Sequence, residues 1–549
     1  MDHLELISRC LVAVGEAAAS PSSTLFDPAT ADLQGCSPPA LGLLRSALRS
    51  LLRAIDGGGG GKHASLPATG NDSPRSCHEY SSLARNLAAV GRLCDEAFLS
   101  FHYADIPTCW RRLYTDAILL KACAALALLE PSHAAAHPHW TSLVRDLDLA
   151  IIVAGAPGPG RAEAIHDLIR AAQTAIASPL SPALLPAAEH TRPAKRSRLE
   201  TVEYHAAIDG GSGAPLQPTS LADGTIDSFD SPPSLATFLD RSGSDDDRGS
   251  CRRPFIVRGF AKDWPASQPL PSAAPSSSPP ASGAPRWASA DYLERIAGPG
   301  RVVPVEVGAK YTDDDWGQDI ILWSDFLRLS GWAQAAADPT AAAAAEDKPL
   351  YLAQHDLLSQ FPDLRRDMIL PDYVYSSPPV PPGVPGYRPP GNDEALILNA
   401  WLGPAATVSP PHFDMFYNCF VQVVGYKEIW LAPPDVDVDG AMAPFGRGRG
   451  RGGEDGEDDG GAACPDSSDK DGLATSLMTN TSRIDVFASS SSSSSSPSCS
   501  DQVATSFRED VQPRAQRAVL GPGDMLFMPP KWWHSFRSRT KSFSVSMWF

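Results

Sequence analysis

The chain has 549 residues, which is enough for two domains joined by linkers. Its formal net charge of −18 argues against a generic nucleic-acid-binding protein, because such proteins carry a basic face. The ten cysteines include no C-x-x-C pair, so neither a zinc module nor a disulfide framework is indicated. Without a basic N-terminal segment or a run of eighteen apolar residues, we expect a soluble intracellular protein that does not enter membranes.

Residues 1–176 are predicted to be helical. Apolar residues recur there at three- and four-residue steps, over 4–19, 39–55, 82–101, 110–129 and 140–154. No fixed repeat period is present, so we interpret the region as a helical scaffold without chemistry of its own. Residues 177–250 are rich in Pro, Ser, Gly and Asp and are predicted to be a disordered linker. Its basic cluster, Lys195 to Arg198, is either a nuclear localisation signal or a solvated loop.

Residues 251–549 are predicted to form a second domain. Predicted strands alternate with short helices from Phe255 onward, including a strand over 302–307 and a helix over 322–329. Low-complexity insertions interrupt them near 267–285, 333–347, 435–479 and 488–512. Between the last two insertions, only Thr481 to Val486 has the composition of a structured segment.

Residues 396–432 combine predicted strands with a short motif of polar residues. Three short strands are predicted over 396–402, 418–424 and 427–432, with a turn at Gly425. His412-Phe413-Asp414 lies between the first two. In an extended segment, residues i and i+2 face the same side, so the imidazole and the carboxylate are predicted to converge.

A second histidine completes a candidate metal-ligand set. His534 follows the strand-like segment Gly523 to Met528 and precedes a predicted terminal strand over 542–549. Two histidines and one carboxylate form the facial triad of non-haem Fe(II) oxygenases, which leaves coordination positions open. The H-x-[DE] pattern alone is weak, because His3-Leu4-Glu5 matches it at the start of a predicted helix. The alternative for both histidines is an ordinary structural role.

Several segments together resemble the catalytic core of the JmjC family of Fe(II)/2-oxoglutarate oxygenases. They are PFIVRGFAKDWPA (254–266), VPVEVGAKYTDDDW (303–316), YLAQHDLLSQFPDL (351–364), ILNAWLGP, the HFD strand pair, NTSRIDV (480–486) and the C-terminal block. The resemblance covers most of 250–549 apart from the insertions. It implies an α+β protein in which an all-helical N-terminal region precedes a cupin-type double-stranded β-helix, the JmjC barrel.

The resemblance also implies a cofactor and co-substrates. Fe(II) would be held by His412, Asp414 and His534, while O2 and 2-oxoglutarate react there to give succinate and a hydroxylated substrate. Lys427, fifteen residues after His412, is expected to bind the far carboxylate of 2-oxoglutarate. Hydrogen bonds to 2-oxoglutarate are expected from Tyr351, Ser409 and Asn418. The alternative for Lys427 is a strand-edge lysine that deters aggregation.

The expected substrate is a protein or peptide with a cationic side chain. The resemblance places Glu306, Trp316 and Trp401 at the substrate pocket, and a carboxylate between indole faces suits a cation. The alternative for both tryptophans is core packing. Histones and ribosomal or other chromatin proteins are the expected partners, in the nucleus or the cytoplasm, and no direct nucleic-acid binding is expected.

Three interpretations of the activity are open. The first is hydroxylation of a protein arginine side chain, because one carboxylate matches a planar guanidinium. The second is removal of methyl groups from histone N-methyl-lysine by the same chemistry, although the sequence shows no chromatin-reader module. The third is a non-catalytic interaction protein on the JmjC fold, which the presence of all three iron ligands and Lys427 disfavours.

Deleting Gly446 to Asp471 is expected to leave folding and turnover largely intact. This Gly-rich acidic sequence cannot bury enough apolar area to offset its ordering entropy. Soluble yield and 2-oxoglutarate turnover of the shortened protein measure the effect. Loss of soluble expression would show that the segment is structural.

Overall fold

The computed structural model describes residues 7, 33, 35–56, 73–101, 105–128, 137–177, 226–243, 253–270, 284–311, 316–332, 348–380, 387–392, 394–437, 480–482, 484–487 and 507–549. These residues form two compact units. One contains the described residues of 1–196 with 294–304 and 320–325, and the other contains the remainder. The predicted helix over 4–19 and the Lys195 to Arg198 cluster fall outside the described residues, apart from Ile7.

The first unit is built mainly on five helices. They are α1 (Pro38–Asp56), α2 (Ser73–Phe98), α3 (Thr108–Leu128), α4 (His137–Ile152) and α5 (Arg161–Ala177). Helix α3 is mostly apolar and is buried almost throughout, as expected of a central helix. This confirms the helical prediction for the N-terminal region, with α5 as an element that the sequence analysis did not delimit.

The second unit contains most of the other described elements. The other described α-helices are α6 (Leu235–Gly243), α7 (Ala290–Ala297), α8 (Trp323–Leu329), α9 (Leu357–Gln360) and α10 (Pro362–Arg365). The strands are β1 (Asp227–Phe229), β2 (Phe255–Val257), β3 (Val302–Val307), β4 (Gly317–Leu322), β5 (Leu350–His355), β6 (Ile397–Gly403), β7 (Val408–His412), β8 (Asn418–Val424), β9 (Lys427–Ala432), β10 (Gln516–Leu520), β11 (Met525–Met528), β12 (Trp533–Ser538) and β13 (Ser542–Trp548).

The strands form two sheets that face each other. The larger has the order β1-β2-β11-β8-β13-β6-β5-β3-β4, and the smaller has the order β10-β9-β12-β7. Apolar side chains from both sheets meet in one cluster, which includes Ile256, Phe420, Leu526, Ile429, Leu431 and Phe536. This is the arrangement of a double-stranded β-helix, and it confirms the predicted α+β class.

The turn between β8 and β9 depends on Gly425. Its φ of 77° lies in the left-handed region, and a Cβ there would collide with the carbonyl oxygen of Lys541. This turn aligns β9 so that alternate side chains enter the barrel. Lys427 is one of them, since its Nζ lies 5.4 Å from the ring centroid of Phe420.

Part of the predicted linker is structured, which corrects the 177–250 assignment. Residues 226–243 form β1 and α6, and β1 pairs in parallel with β2. The physical reason is aromatic packing. Phe238 of α6 lies 4.9 Å from Phe527 between ring centroids, and Phe229 of β1 lies 5.5 Å from Phe255. The other linker residues lie outside the described ranges.

The edges of the last two predicted insertions are also structured. Residues 434–437 form a 3-10 turn and 507–511 a single π-helical turn. Val436 and Val511 are buried against Trp430 and Trp533, which explains why these edges are ordered. Residues 267–270 at the start of the first insertion are also described. The greater part of the four insertions falls outside the described residues.

No helix among the described residues is both long enough and apolar enough to cross a lipid bilayer.

Candidate metal centre

The two histidines are brought together by strand register. Strands β7 and β12 are antiparallel, and His412 lies directly opposite His534, with 4.2 Å between the ring centroids. Strand β7 is at the edge of its sheet, where Pro410 and Pro411 are tolerated because an edge residue can lack a ladder N–H. The register shifts between His534 and Phe536, so β7 is irregular beside the two prolines.

Each imidazole is oriented by a backbone carbonyl two residues before it. Nδ1 of His412 lies 2.8 Å from the oxygen of Pro410, and Nδ1 of His534 lies 2.9 Å from that of Trp532. A carbonyl accepts, so both Nδ1 atoms carry the proton and both Nε2 atoms keep a lone pair. This tautomer is the one that metal-binding histidines use.

Asp414 lies just beyond β7, which ends at His412. Its carboxylate converges on the same point as the imidazole, as the alternation argument made from the sequence predicted. Its Oδ2 lies 3.5 Å from Nε2 of His534, and one ligand atom of each of the three residues lies within 4.8 Å of the others. Phe413 points away, with its ring centroid 5.0 Å from that of Trp533.

The protonation states suit a metal ion. Burial and the neighbouring His534 lower the pKa of His412 to about 4, so its imidazole is neutral at pH 7. Burial opposes the ionisation of Asp414, but the neighbouring His534 and His412 outweigh it, so the pKa of Asp414 lies below its usual value. Two imidazoles beside a carboxylate are a ligand set that fits Fe(II).

Lys427 is a buried lysine that no carboxylate among the described residues neutralises. It is 1% exposed, and its Nζ donates to the hydroxyl oxygen of Tyr351 at 3.0 Å. The rings of Phe420 and Phe536 lie 5.4 and 5.9 Å from the same Nζ. Burial lowers the pKa of Lys427 to about 7, and no described carboxylate forms an ion pair with it. Such a lysine fits a ligand that brings its own negative charge.

The remaining predicted co-substrate residues are buried in the same barrel. Burial, reinforced by the charge of Glu306, raises the pKa of Tyr351, and the Ser409 side chain partly opposes this rise. Tyr351 thus lies beside both Ser409 and Lys427. Asn418, at the start of β8, is 4% exposed, and its Oδ1 has no hydrogen-bond partner among the described residues. Buried polar atoms are rarely left unpaired, so Asn418 is also suited to a polar ligand.

The three predicted substrate residues fall near Tyr351. Glu306 on β3 lies opposite Tyr351 on β5. Burial raises the pKa of Glu306 to about 7. The Trp316 indole partly opposes this rise, although Nε1 of Trp316 makes no hydrogen bond of good geometry with the described residues. The Trp401 ring centroid lies 6.1 Å from that of Tyr351, and its Nε1 donates to Ser546 Oγ at 3.1 Å. Trp401 also packs partly against the barrel core, as the alternative interpretation of this residue predicted.

The sequence analysis missed Tyr311. Burial raises its pKa to about 12, opposed by a hydrogen bond with Thr481 and reinforced by the charges of Glu306 and Asp414. Tyr311 therefore lies within electrostatic range of both Glu306 and Asp414. Its only sequence signal was its position within the 303–316 segment that resembles the JmjC core.

Comparison with known proteins agrees with this geometry. A family model described as a cupin-like domain matches residues 247–549, which is more than half of the chain. The chain belongs to the cupin-like JmjC family. Proteins named Jumonji C domain-containing protein 5 and Lysine-specific demethylase 8 are among its relatives.

Three relatives illustrate the similarity. Jumonji C domain-containing protein 5 of Drosophila melanogaster is 34% identical over 264 residues, 48% of this chain and 50% of that protein. Lysine-specific demethylase 8 of Danio rerio is 31% identical over 298 residues, 54% and 53% of the two chains. Lysine-specific demethylase JMJ30 of Arabidopsis thaliana is 30% identical over 298 residues, 54% and 49% of the two chains. The matches therefore span about half the length of these curated relatives.

His412→Ala and Asp414→Ala are each expected to abolish Fe(II)-dependent decarboxylation of 2-oxoglutarate while the JmjC barrel stays folded. The truncated atoms face the candidate metal position, so the change removes ligands rather than core packing. Succinate formation and the circular dichroism spectrum measure the two effects. Full activity in both variants would refute the triad.

Proposed function

We propose that the chain is an Fe(II)- and 2-oxoglutarate-dependent oxygenase that hydroxylates a protein side chain, with arginine as the acceptor. One observation carries the proposal. A single barrel holds a two-histidine, one-carboxylate group together with a buried lysine that no described carboxylate neutralises. The first arrangement suits a non-haem iron and the second suits an anionic co-substrate.

His412, Asp414 and His534 would hold the iron. When bound with 2-oxoglutarate and O2, it would supply the oxidative decarboxylation and the C–H hydroxylation that the protein groups cannot perform. The protein contributes fixed ligands. Both Nδ1 atoms are engaged by backbone carbonyls, so neither ring can turn its Nε2 away without losing a hydrogen bond.

Lys427 would bind the far carboxylate of 2-oxoglutarate. An anion beside Nζ favours the charged form, so binding raises the pKa that burial lowers. The Tyr351 hydroxyl fixes the position of Nζ at 3.0 Å. The surrounding Phe420 and Phe536 rings exclude water, which strengthens the charge interaction. Ser409 and Asn418 supply further polar groups.

Glu306 supports arginine as the substrate side chain. Its raised pKa means that burial without a cation disfavours the carboxylate form. A guanidinium would restore that form through two parallel charge-assisted hydrogen bonds. Trp316 and Trp401 would add indole faces, which attract planar cations.

The alternative is an N-methyl-lysine demethylase, which the names of two similar proteins favour. Hydroxylation of an N-methyl carbon gives a product that collapses to formaldehyde and unmethylated lysine, so the same site serves both reactions. A methylated ammonium, however, presents fewer N–H donors than a guanidinium to a single buried carboxylate. A non-catalytic JmjC-fold interaction protein is the third candidate, and the co-located triad and Lys427 argue against it.

The proposed partner is a protein or peptide with a cationic side chain, such as a histone or a ribosomal protein. The acidic chain, with a net charge of −18, would attract such basic partners at long range. The nucleus and the cytoplasm are the proposed locations, and Lys195 to Arg198 remains a candidate targeting signal.

The affinity for 2-oxoglutarate is expected to fall as the pH rises above 7. Below a pKa of about 7, Lys427 is already charged in the free protein and binding costs no proton uptake. Above it, binding must take up a proton, so Kd rises by up to about tenfold per pH unit. Calorimetric titration of the Mn(II)-loaded protein in buffers of different ionisation enthalpy measures both Kd and the protons taken up.

Lys427→Arg provides the matched control. Arginine stays charged over this range, so its weaker binding should depend less on pH than that of the wild type. Ionisation of Glu306 acts in the same direction as that of Lys427, and the slope that remains in Lys427→Arg reports its share. Equal slopes in the two proteins would contradict the role of Lys427.

Glu306→Gln is expected to weaken arginine-peptide binding by roughly 10- to 100-fold, because charge-assisted hydrogen bonds contribute about 1.5–3 kcal/mol. The shape of the pocket is preserved, so uncoupled turnover of 2-oxoglutarate, which needs no peptide, should continue. Arginine-peptide and methyl-lysine-peptide affinities measured in parallel test the assignment. The control is Glu394→Gln, which alters an exposed carboxylate and should change neither affinity.

Two outcomes would contradict the arginine pocket. A Glu306→Gln protein that binds the arginine peptide as tightly as the wild type would show that Glu306 does not contribute to arginine binding. Loss of uncoupled turnover as well would place Glu306 with the iron or the co-substrate.

A further inference from the structure

The residue between His412 and Asp414 is held by one asparagine. The backbone N–H of Phe413 donates to the carbonyl oxygen of Asn480 at 3.1 Å. In return, Nδ2 of Asn480 donates to the carbonyl oxygen of Phe413 at 2.8 Å. Both backbone groups of Phe413 are therefore satisfied by a residue that lies 67 positions later in the chain.

We call these two hydrogen bonds the clamp of Asn480. They hold the backbone at a point where the strand pairing of β7 has ended. Strand β7 ends at His412, so no ladder of the four-stranded sheet fixes the backbone that carries Asp414. Pro410 and Pro411 further weaken the strand, because neither residue has an N–H to donate. The side chain of Asp414 still has to stay within about half an ångström of its productive position for a metal to bind well.

Asn480 belongs to a short segment that continues the strand pairing of β7. We call residues 480–482 and 484–487 the strap. His412 forms an isolated antiparallel bridge with Thr481, and the N–H of Ser482 donates to the carbonyl oxygen of Pro411 at 2.8 Å. On the other side, the N–H of Lys531 donates to the carbonyl oxygen of Asp414 at 2.7 Å. The ligand turn is thus held from two directions.

The strap is itself anchored away from the ligands. Val486 is buried in the cluster of Trp430 and Trp533 on the outer face of the smaller sheet. Asp485 pairs with Nζ of Lys310 at 2.8 Å in a half-exposed ion pair. Because apolar packing fixes one end, the asparagine at the other end has a defined position from which to hold Phe413.

We propose that Asn480 is a positioning residue of the metal centre, which acts by fixing the turn that presents Asp414. The inference rests on the proposed metal-binding function and adds a residue that touches neither metal nor substrate. The strap lies between two low-complexity insertions, so a segment isolated in sequence completes the geometry of the ligands. Partners that orient metal ligands commonly affect metal affinity by 10- to 100-fold when they are replaced.

The test is Co(II) binding to the full chain. Calorimetry measures the affinity, and the visible absorption of the bound ion reports its ligand geometry. Asn480→Ala is expected to weaken Co(II) binding by about 10- to 100-fold and to change the absorption spectrum, since a mobile Asp414 alters the ligand field. Asn480→Asp keeps the size, removes the donor and turns an oxygen towards the Phe413 carbonyl, so we expect a loss at least as large. Thermal unfolding of the metal-free variants should stay close to that of the wild type.

Two comparisons separate the possible failures. Asp485→Asn removes the ion pair at the other end of the strap and should leave Co(II) affinity within about twofold, because exposed pairs contribute little. If both Asn480 variants bind Co(II) like the wild type with an unchanged spectrum, the positioning role is refuted. If His412→Ala binds Co(II) as tightly as the wild type, the metal centre itself is refuted, whatever the Asn480 variants do.

Discussion

The register between β7 and β12 is the constraint on which the site depends. A strand shifted by one residue turns its side chains to the opposite face, so His412 and His534 can share the barrel interior in one register only. That register is weakly specified by β7 alone, which is an edge strand with two consecutive prolines. The strap on one side and β12 on the other supply the pairing that β7 needs. Ligand geometry is therefore a property of segments that are far apart in the sequence.

The barrel contains two buried titratable side chains of opposite charge type, Lys427 and Glu306. Within the described part of the chain, the buried Lys427 amine donates to Tyr351 and pairs with no carboxylate, while burial pushes the Glu306 carboxyl group towards its neutral form. Both arrangements are costly without ligands and become favourable when an anion meets the lysine and a cation meets the glutamate. In the proposed function, the opposite signs would also separate the two ligands, since each group repels the ligand of the other.

The sequence predicted the strands because their signals are local, and the resemblance to the JmjC family predicted the three candidate metal ligands. The apolar runs over 418–424 and 427–432 matched β8 and β9, and His412, Asp414 and His534 converge as expected. It failed where long-range contacts decide. Residues 226–243 had linker composition, yet Phe238 orders them by packing on the barrel. The clamp of Asn480 on Phe413 joins residues 67 positions apart, a contact that no periodicity predicts. Tyr311 was overlooked for the same reason.

The most direct test of the central claim is mass spectrometry of peptides after turnover with Fe(II), 2-oxoglutarate and O2. An arginine peptide and a methyl-lysine peptide of otherwise equal sequence should be incubated together with the full chain. The arginine-pocket account predicts one added oxygen on the arginine peptide, with succinate formed in proportion. Loss of a methyl group from the lysine peptide, with the arginine peptide unchanged, would contradict it.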